Sequence, residues 1–199
     1  MASCRLEKIE ATKRSSCAKR SGVEDLVALS SGNATVFLDF ARNDRRHPLS
    51  KSSPNNMPIN KAEIRALIPH SDLMCLLDEV VQWDDRSIAC ISNTHRDPAN
   101  PLRRQGRLSA VHAFEYGAQA AAVHGGLRAR AAGTIAPPGY LAALRDGRLH
   151  VTRLDHIHLP IRILATRLYG EGANTVYEFI LSAAAVLVAE GRVTIVQRD

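Results

Sequence analysis

Ser109-Ala-Val-His-Ala-Phe-Glu-Tyr-Gly-Ala-Gln-Ala-Ala-Ala-Val-His-Gly-Gly126 decides the fold. It is rich in alanine, free of proline and spaced like a helix. Ser109 is placed to cap the first turn by accepting a backbone N–H bond. Gly125 and Gly126 are expected to end the helix, and Arg128 and Arg130 beyond them suit a helix C-terminus. The small residues Ala113, Gly117, Ala118, Ala121 and Ala122 let another layer pack close, which suits a helix enveloped by a sheet. One carboxylate, Glu115, interrupts this neutral segment. Gln119 lies at i+4 and His112 at i−3, so the three share a face. A charge on a buried helix is costly unless it is paired or used. Glu115 is therefore the first candidate for chemistry.

Working outward, Asn60-Lys-Ala-Glu63 reads as a capping box with Ile59 and Ile64 as its staple. A short helix over 61–67 is expected to stop before Pro69. Leu73 to Gln82 and Arg86 to Asn93 read as two strands joined by a turn at Asp84-Asp85. His95 to Gly106 is a loop broken by two prolines. After the helix and the breaker Ala136-Pro-Pro-Gly139, strands are expected over 139–149, 151–158, 161–169, 174–182 and 187–197. Gly170 to Asn174 is a good hairpin turn, whereas the turn at Ala184-Ala185 lacks the usual residues. One long helix followed by strands with no further helix argues an α+β architecture, an antiparallel sheet wrapped on that helix.

The remaining sequence excludes several classes. The net charge is +6, of which residues 1–56 carry +4 and residues 57–199 only +2. The body shows no basic stripe with interleaved aromatics, so nucleic acid is not the expected partner. The longest apolar run, Phe179 to Ala189, is too short for a membrane span. Cys4, Cys17, Cys75 and Cys90 form no CxxC pair or zinc spacing, and they read as reduced thiols of a cytoplasmic protein. His156, His158 and Asp155 alternate, but a third ligand is not apparent, so no metal is expected. Residues 1–56 lack a sustained period and a signal-peptide core. They are expected to be a disordered extension or an over-long gene start, with the folded domain over 57–199.

Ile68-Pro-His-Ser-Asp-Leu-Met-Cys-Leu-Leu-Asp-Glu-Val80 resembles the opening of 3-hydroxyacyl-acyl-carrier-protein dehydratases of the hotdog fold. Phe114-Glu-Tyr-Gly-Ala-Gln-Ala-Ala-Ala122 resembles their helix motif. Asn100 to Leu108 and Val188 to Thr194 are similar to the divergent branch associated with aryl-polyene biosynthesis. The resemblance covers about 60–198 and implies a hotdog domain. One element departs. Ordinary members carry a histidine in a His-Phe-Pro-Gly stretch, and here that position falls on Pro101 or, with a one-residue gap, on Asn100.

The resemblance implies loss of water from a 3-hydroxyacyl thioester to give the trans-2-enoyl product. A base must remove the proton α to the carbonyl, and an acid must protonate the departing hydroxyl. Donors must also hold the carbonyl oxygen as it gains charge. Glu115 is expected to be the acid, its pKa raised by apolar surroundings. His95, from the loop, or His112, one turn from Glu115, is expected to be the base. Gln119 is expected to orient Glu115 or bond backbone. The amides of Val111 and Ala113 are the expected oxyanion donors. Arg103, Arg104 and Arg107 could meet a phosphopantetheine phosphate or an acidic carrier protein. His70 reads as a structural residue at the end of the short helix.

No cofactor is expected beyond the pantetheine arm of the acyl carrier protein. A homodimer is implied by the resemblance. Two other readings remain open: a hotdog thioesterase in which Glu115 activates water, and a non-catalytic hotdog subunit supporting a partner dehydratase or ketosynthase.

Overall fold

The computed structural model describes residues 57–70, 72–171 and 174–197. The expectation for residues 1–56 lies outside these. The chain opens with β1 (Ile59–Asn60) and α1 (Lys61–Arg65). Asn60 accepts from the amides of Ala62 and Glu63, and Glu63 returns a bond to the Asn60 amide at 3.0 Å. Ile59 and Ile64 are both buried, which fixes the entry of the chain. The helix ends at Arg65, with Ala66 as its C-cap.

Residues 72–78 are not a strand, contrary to the sequence expectation. Asp72–Met74 form a 3-10 turn, and regular pairing begins only with β2 (Glu79–Trp83). Side chains take the backbone groups that a strand would have used. Gln119 accepts from the Leu76 amide, while Ser92 and Thr94 donate to the Leu76 carbonyl. Then follow β3 (Ser87–Ser92), α2 (Ala113–Ala131), β4 (Gly139–Leu149), β5 (Ile161–Glu171), β6 (Asn174–Ala183) and β7 (Val186–Gln197). All neighbouring strands pair antiparallel, in the order β1-β2-β3-β5-β6-β7-β4.

The expected strand over 151–158 is also absent. Its backbone bonds instead to the segment before α2: Ala110 N to Thr152 O and Leu154 N to Leu108 O. Asp155 accepts from the Leu108 amide and pairs with Arg153. That guanidinium and amide hold its carboxyl well below the usual carboxylate range. An inward acid and a buried Leu154 thus fold this segment over the entry to the helix.

α2 runs past Gly125 and Gly126 to Ala131, so the glycines do not end it. A Cβ on Gly126 would lie 3.2 Å from the Leu67 carbonyl oxygen, so this glycine allows the loop after α1 to approach the helix. The helix stops where Gly133 takes a φ of +71. Tyr116, Gln119, Ala120, Val123 and Leu127 are buried, and Ile163, Phe179 and Val193 are core residues of the sheet. The hairpin at Ala184-Ala185 does form, with Ala183 opposite Val186. Ala184 adopts a φ of 50, a left-handed conformation unfavourable for a residue with a Cβ.

Helix and sheet approach closely at Gly117. A Cβ there would stand 2.6 Å from the Phe179 ring, which Gly191 confines from the other side. The ring has no room to move. Gly117→Ala should therefore lower the unfolding free energy by about 1–3 kcal/mol despite alanine's better helix propensity, as measured by urea denaturation. A stabilised variant would show that the ring can be displaced.

Candidate active site

Glu115 enters in the first turn of α2 with its side chain half-buried. Its Oε1 accepts from Gln119 Nε2 at 2.9 Å. The same Gln119 nitrogen donates to the Met74 carbonyl at 2.8 Å, and its oxygen accepts from the Leu76 amide at 2.9 Å. One amide side chain therefore ties the helix acid to the loop following α1. That loop carries His70, whose Nε2 stands 3.2 Å from Glu115 Oε1. Nδ1 of His70 is buried with no protein partner, so Nε2 is the nitrogen that faces the acid. Both close contacts fall on Oε1, and Oε2 has no protein donor among the described residues.

The electrostatics reverse one sequence expectation. The Glu115 pKa lies below the ordinary value, chiefly because of His70 and against the opposing effect of burial, with Gln119 assisting. The resting side chain is a carboxylate that accepts, rather than an acid poised to donate.

The expected histidines are placed differently. His95 is fully buried, and its Nε2 meets the Ile157 carbonyl at 3.0 Å. Burial pushes its pKa down, so the neutral ring donates to that carbonyl and pins the loop at 157 to the loop at 95. His112 feels Glu115 electrostatically, one turn away, but no bond joins them; burial, then Arg104, lowers its pKa. His70, read from sequence as structural, is the imidazole that reaches the acid. Forty-five residues separate the two, so no local spacing could announce the pair; the only signal was the Pro-His of the opening motif.

The expected oxyanion donors are engaged. Ala110–His112 form a 3-10 turn whose geometry consumes them: Val111 N is capped by Ser109 Oγ at 3.4 Å, and Ala113 N bonds back to Ala110 O. Among the expected carrier contacts, Arg103 is spent internally on the carbonyls of Asp97, Gly106 and His95. Arg104 and Arg107 are exposed. Tyr116, next to Glu115, joins Thr94 at 2.9 Å and Asn100 at 3.2 Å, which anchors the preceding loop to the helix. The Asn100 position, where a dehydratase histidine was sought, thus does structural work.

A cavity of about 640 Å³ opens along the second half of α2 and reaches Pro69, the residue before His70. Among the described residues, no group of His, Cys, Asp and Glu could hold a metal ion, and no helix is long and apolar enough to cross a membrane. Cys75 and Cys90 are free and buried.

A helix enveloped by an antiparallel sheet, with an acid in its first turn, is the arrangement of hotdog-fold proteins. Residues 62–199 match the ApeP-like family, described as ApeP dehydratase, and the chain belongs to that family. The dehydratase heterocomplex ApeI:P from Xenorhabdus doucetiae has the same fold. It is 24% identical with a TM-score of 0.63, over 68% of this chain and 91% of that one. A Shewanella oneidensis protein solved as a candidate thioesterase is 13% identical with a TM-score of 0.49, over 70% and 94%. A sigma28-regulated virulence protein of Campylobacter jejuni is 13% identical with a TM-score of 0.48, over 68% and 96%. No curated protein sequence matches.

The lowered Glu115 pKa gives a stability signature. A depressed carboxyl pKa contributes stability that is present above the unfolded-state pKa and lost as pH falls through the folded-state value. The stability of wild type relative to Glu115→Gln should be constant near neutrality and decline below pH about 4.3. Thermal denaturation across pH 3–7 (a range of about four units around the glutamate pKa) measures this. A difference that stays flat throughout would contradict the depressed pKa.

Proposed function

We propose that the protein removes water from 3-hydroxyacyl thioesters carried on acyl carrier protein, giving trans-2-enoyl thioesters in fatty-acid-like or polyene synthesis. The observation that carries this reading is the His70–Glu115 couple, held by Gln119 on the wrapped helix of an ApeP-like chain. With His70 protonated, the couple has both the acceptor and the donor that an elimination needs. Oε2 of Glu115 takes the proton from the α-carbon. The electron pair forms the carbon–carbon double bond as the β-hydroxyl leaves. Nε2 of His70 gives its proton to that hydroxyl, which departs as water. The couple is then a neutral imidazole and a carboxylic acid, and it is restored when the carboxyl turns and the proton taken by Oε2 returns to Nε2 of His70. The reaction draws on no cofactor besides the pantetheine arm.

The roles are thus exchanged relative to the sequence expectation. The non-catalytic reading rested on a missing histidine, and His70 supplies one from another part of the chain. Arg104 and Arg107, exposed on the loop before the helix, are the remaining candidates for an acidic carrier or its phosphate. Among the described residues β4 is an edge strand bonded to β7, and it exposes Leu141, Leu144 and Leu149. An exposed apolar edge suits a second subunit. That subunit is a second copy or, given the heterocomplex of the Xenorhabdus relative, a partner dehydratase. We place the activity in the cytoplasm, where its carrier would be.

The test is mass analysis of a carrier-bound 3-hydroxyacyl substrate incubated with the full chain, alone and with a partner dehydratase. Loss of one water is expected. Glu115→Gln and His70→Ala should each lower kcat/KM by about 10²–10⁴-fold, and the double variant should lose little more than the worse single one. Because Oε2 must be ionised, the acid limb set by Glu115 should lie below the ordinary glutamate range. Release of free thiol without dehydration would favour the thioesterase instead. The couple lies within one chain, so co-expressing His70→Ala with Glu115→Gln should restore no activity; restoration would place its two halves on different subunits.

A further inference from the structure

Removing a proton next to a thioester carbonyl puts negative charge on the carbonyl oxygen, and that charge needs a hydrogen-bond donor. The His70–Glu115 couple does not supply one. Glu115 takes the α-proton, and His70 gives its own to the leaving hydroxyl. The backbone amides at the entry to α2 are also spent. His112 N bonds to Ser109 O, Val111 N to Ser109 Oγ, and Ala113 N to Ala110 O. What is left for the oxygen is a side chain beside Glu115.

His112 is that side chain. It closes the 3-10 turn before α2 with φ −70 and ψ −10, so it continues the helical path, and Glu115 follows at i+3. Residues at this spacing share a face, with Cβ atoms about 5–6 Å apart. A carbonyl oxygen lies two bonds from the α-carbon, so a base and an oxyanion donor this far apart can serve one substrate. The proximity also shows in the charges: Glu115 raises the His112 pKa, and His112 lowers that of Glu115. Even so, no hydrogen bond joins them. The His112 ring is half-buried and has no partner among the described residues. Other imidazoles are committed: His70 to Glu115, His95 to the Ile157 carbonyl, His124 to the Asp84 carbonyl and Tyr177, and His150 to Glu190. Burial, then Arg104, holds the His112 pKa down. At neutral pH the ring is therefore neutral and offers one N–H.

We propose that the His112 ring donates a hydrogen bond to the thioester carbonyl oxygen of the substrate and holds the negative charge that develops there. It transfers no proton. The substrate then lies across the first turn of the helix, with its carbonyl at His112, its α-carbon at Glu115 and its β-hydroxyl at His70. This rests on the dehydratase reading for the reaction, and it adds the group that makes the α-proton removable.

The test has a spectroscopic arm and a kinetic arm, both on the full chain. The first records the infrared carbonyl stretch of bound octanoyl-coenzyme A, isotope-labelled at its carbonyl carbon. This probe has no β-hydroxyl and cannot be dehydrated. The band should lie at lower frequency on wild type and His112→Gln, which both offer an N–H, than on His112→Phe, which offers none. The second arm measures turnover of a carrier-bound 3-hydroxyacyl substrate. His112→Phe should lower kcat by about 10²-fold and change KM by no more than about twofold. His112→Gln should keep kcat within about tenfold of wild type and leave both limbs of the pH profile in place, because the ring exchanges no proton. A wild-type band that is unshifted, or equal to that of His112→Phe, overturns the assignment. So does His112→Gln being as slow as His112→Phe with one pH limb lost, which would make His112 the base. If His112→Phe does not fold, His112→Ala gives the same comparison. If the band depends on His112 in a protein that never dehydrates a 3-hydroxyacyl substrate, the dehydratase reading fails and the carbonyl contact stands. If dehydration proceeds and the band ignores His112, the reverse holds.

Discussion

The side chain of Gln119 holds three parts of the molecule at once. It gives one nitrogen to both Glu115 and the Met74 carbonyl, and its oxygen receives the Leu76 amide. The loop after α1 has no strand partner at this point, so its buried backbone groups must be satisfied by side chains. Gln119, Ser92 and Thr94 do this. An amide is the right group because it offers a donor and an acceptor from one rigid plane. The bonds that keep the loop satisfied also bring His70 to the acid.

Close packing of helix and sheet is the second constraint. Phe179 lies between Gly117 and Gly191, and the glycines give the ring its space. Gly126 performs a similar service for Leu67. These three glycines act by what they omit. For Gly126, a sequence reading that took Gly125 and Gly126 for a helix stop mistook an approach distance for a backbone turn. The polar side chains of the helix divide between two tasks. Glu115 is half-buried and the buried Gln119 joins it to the loop after α1, while Tyr116 and His124 turn inward and take partners from loops before the helix and from β6. Burial costs are met on the inner face, and Glu115 remains a half-buried carboxylate.

The contacts of the site residues depend on more than each residue's local context can express. His112 is one turn from Glu115 in sequence and near it in space, yet it makes no bond to it. His95 lies in the loop where a dehydratase histidine was sought, and it is fully buried on a carbonyl. His95 was expected because the resemblance takes the base from that loop, and His112 because it lies one turn from Glu115. Arg103 belonged to a cluster that reads as a basic patch, but its guanidinium spans three carbonyls and braces the loop. A contact across forty or more residues leaves no periodic trace. It emerges only when the sheet closes on the helix.

The sequence by itself determined the wrapped helix, the capping box at Asn60, most of the antiparallel strands and the acid at Glu115. These are local matters: hydrophobic period, cap chemistry and turn residues act within a few residues of one another. The tertiary structure alone decided which imidazole meets that acid. It also set the protonation of Glu115, because a carboxyl pKa depends on the donors around it, and here those donors come from distant segments. The strand expected at 151–158 was lost for the same reason: its alternation was real, but the groups that could satisfy its backbone lay at the helix entry rather than along a neighbouring strand.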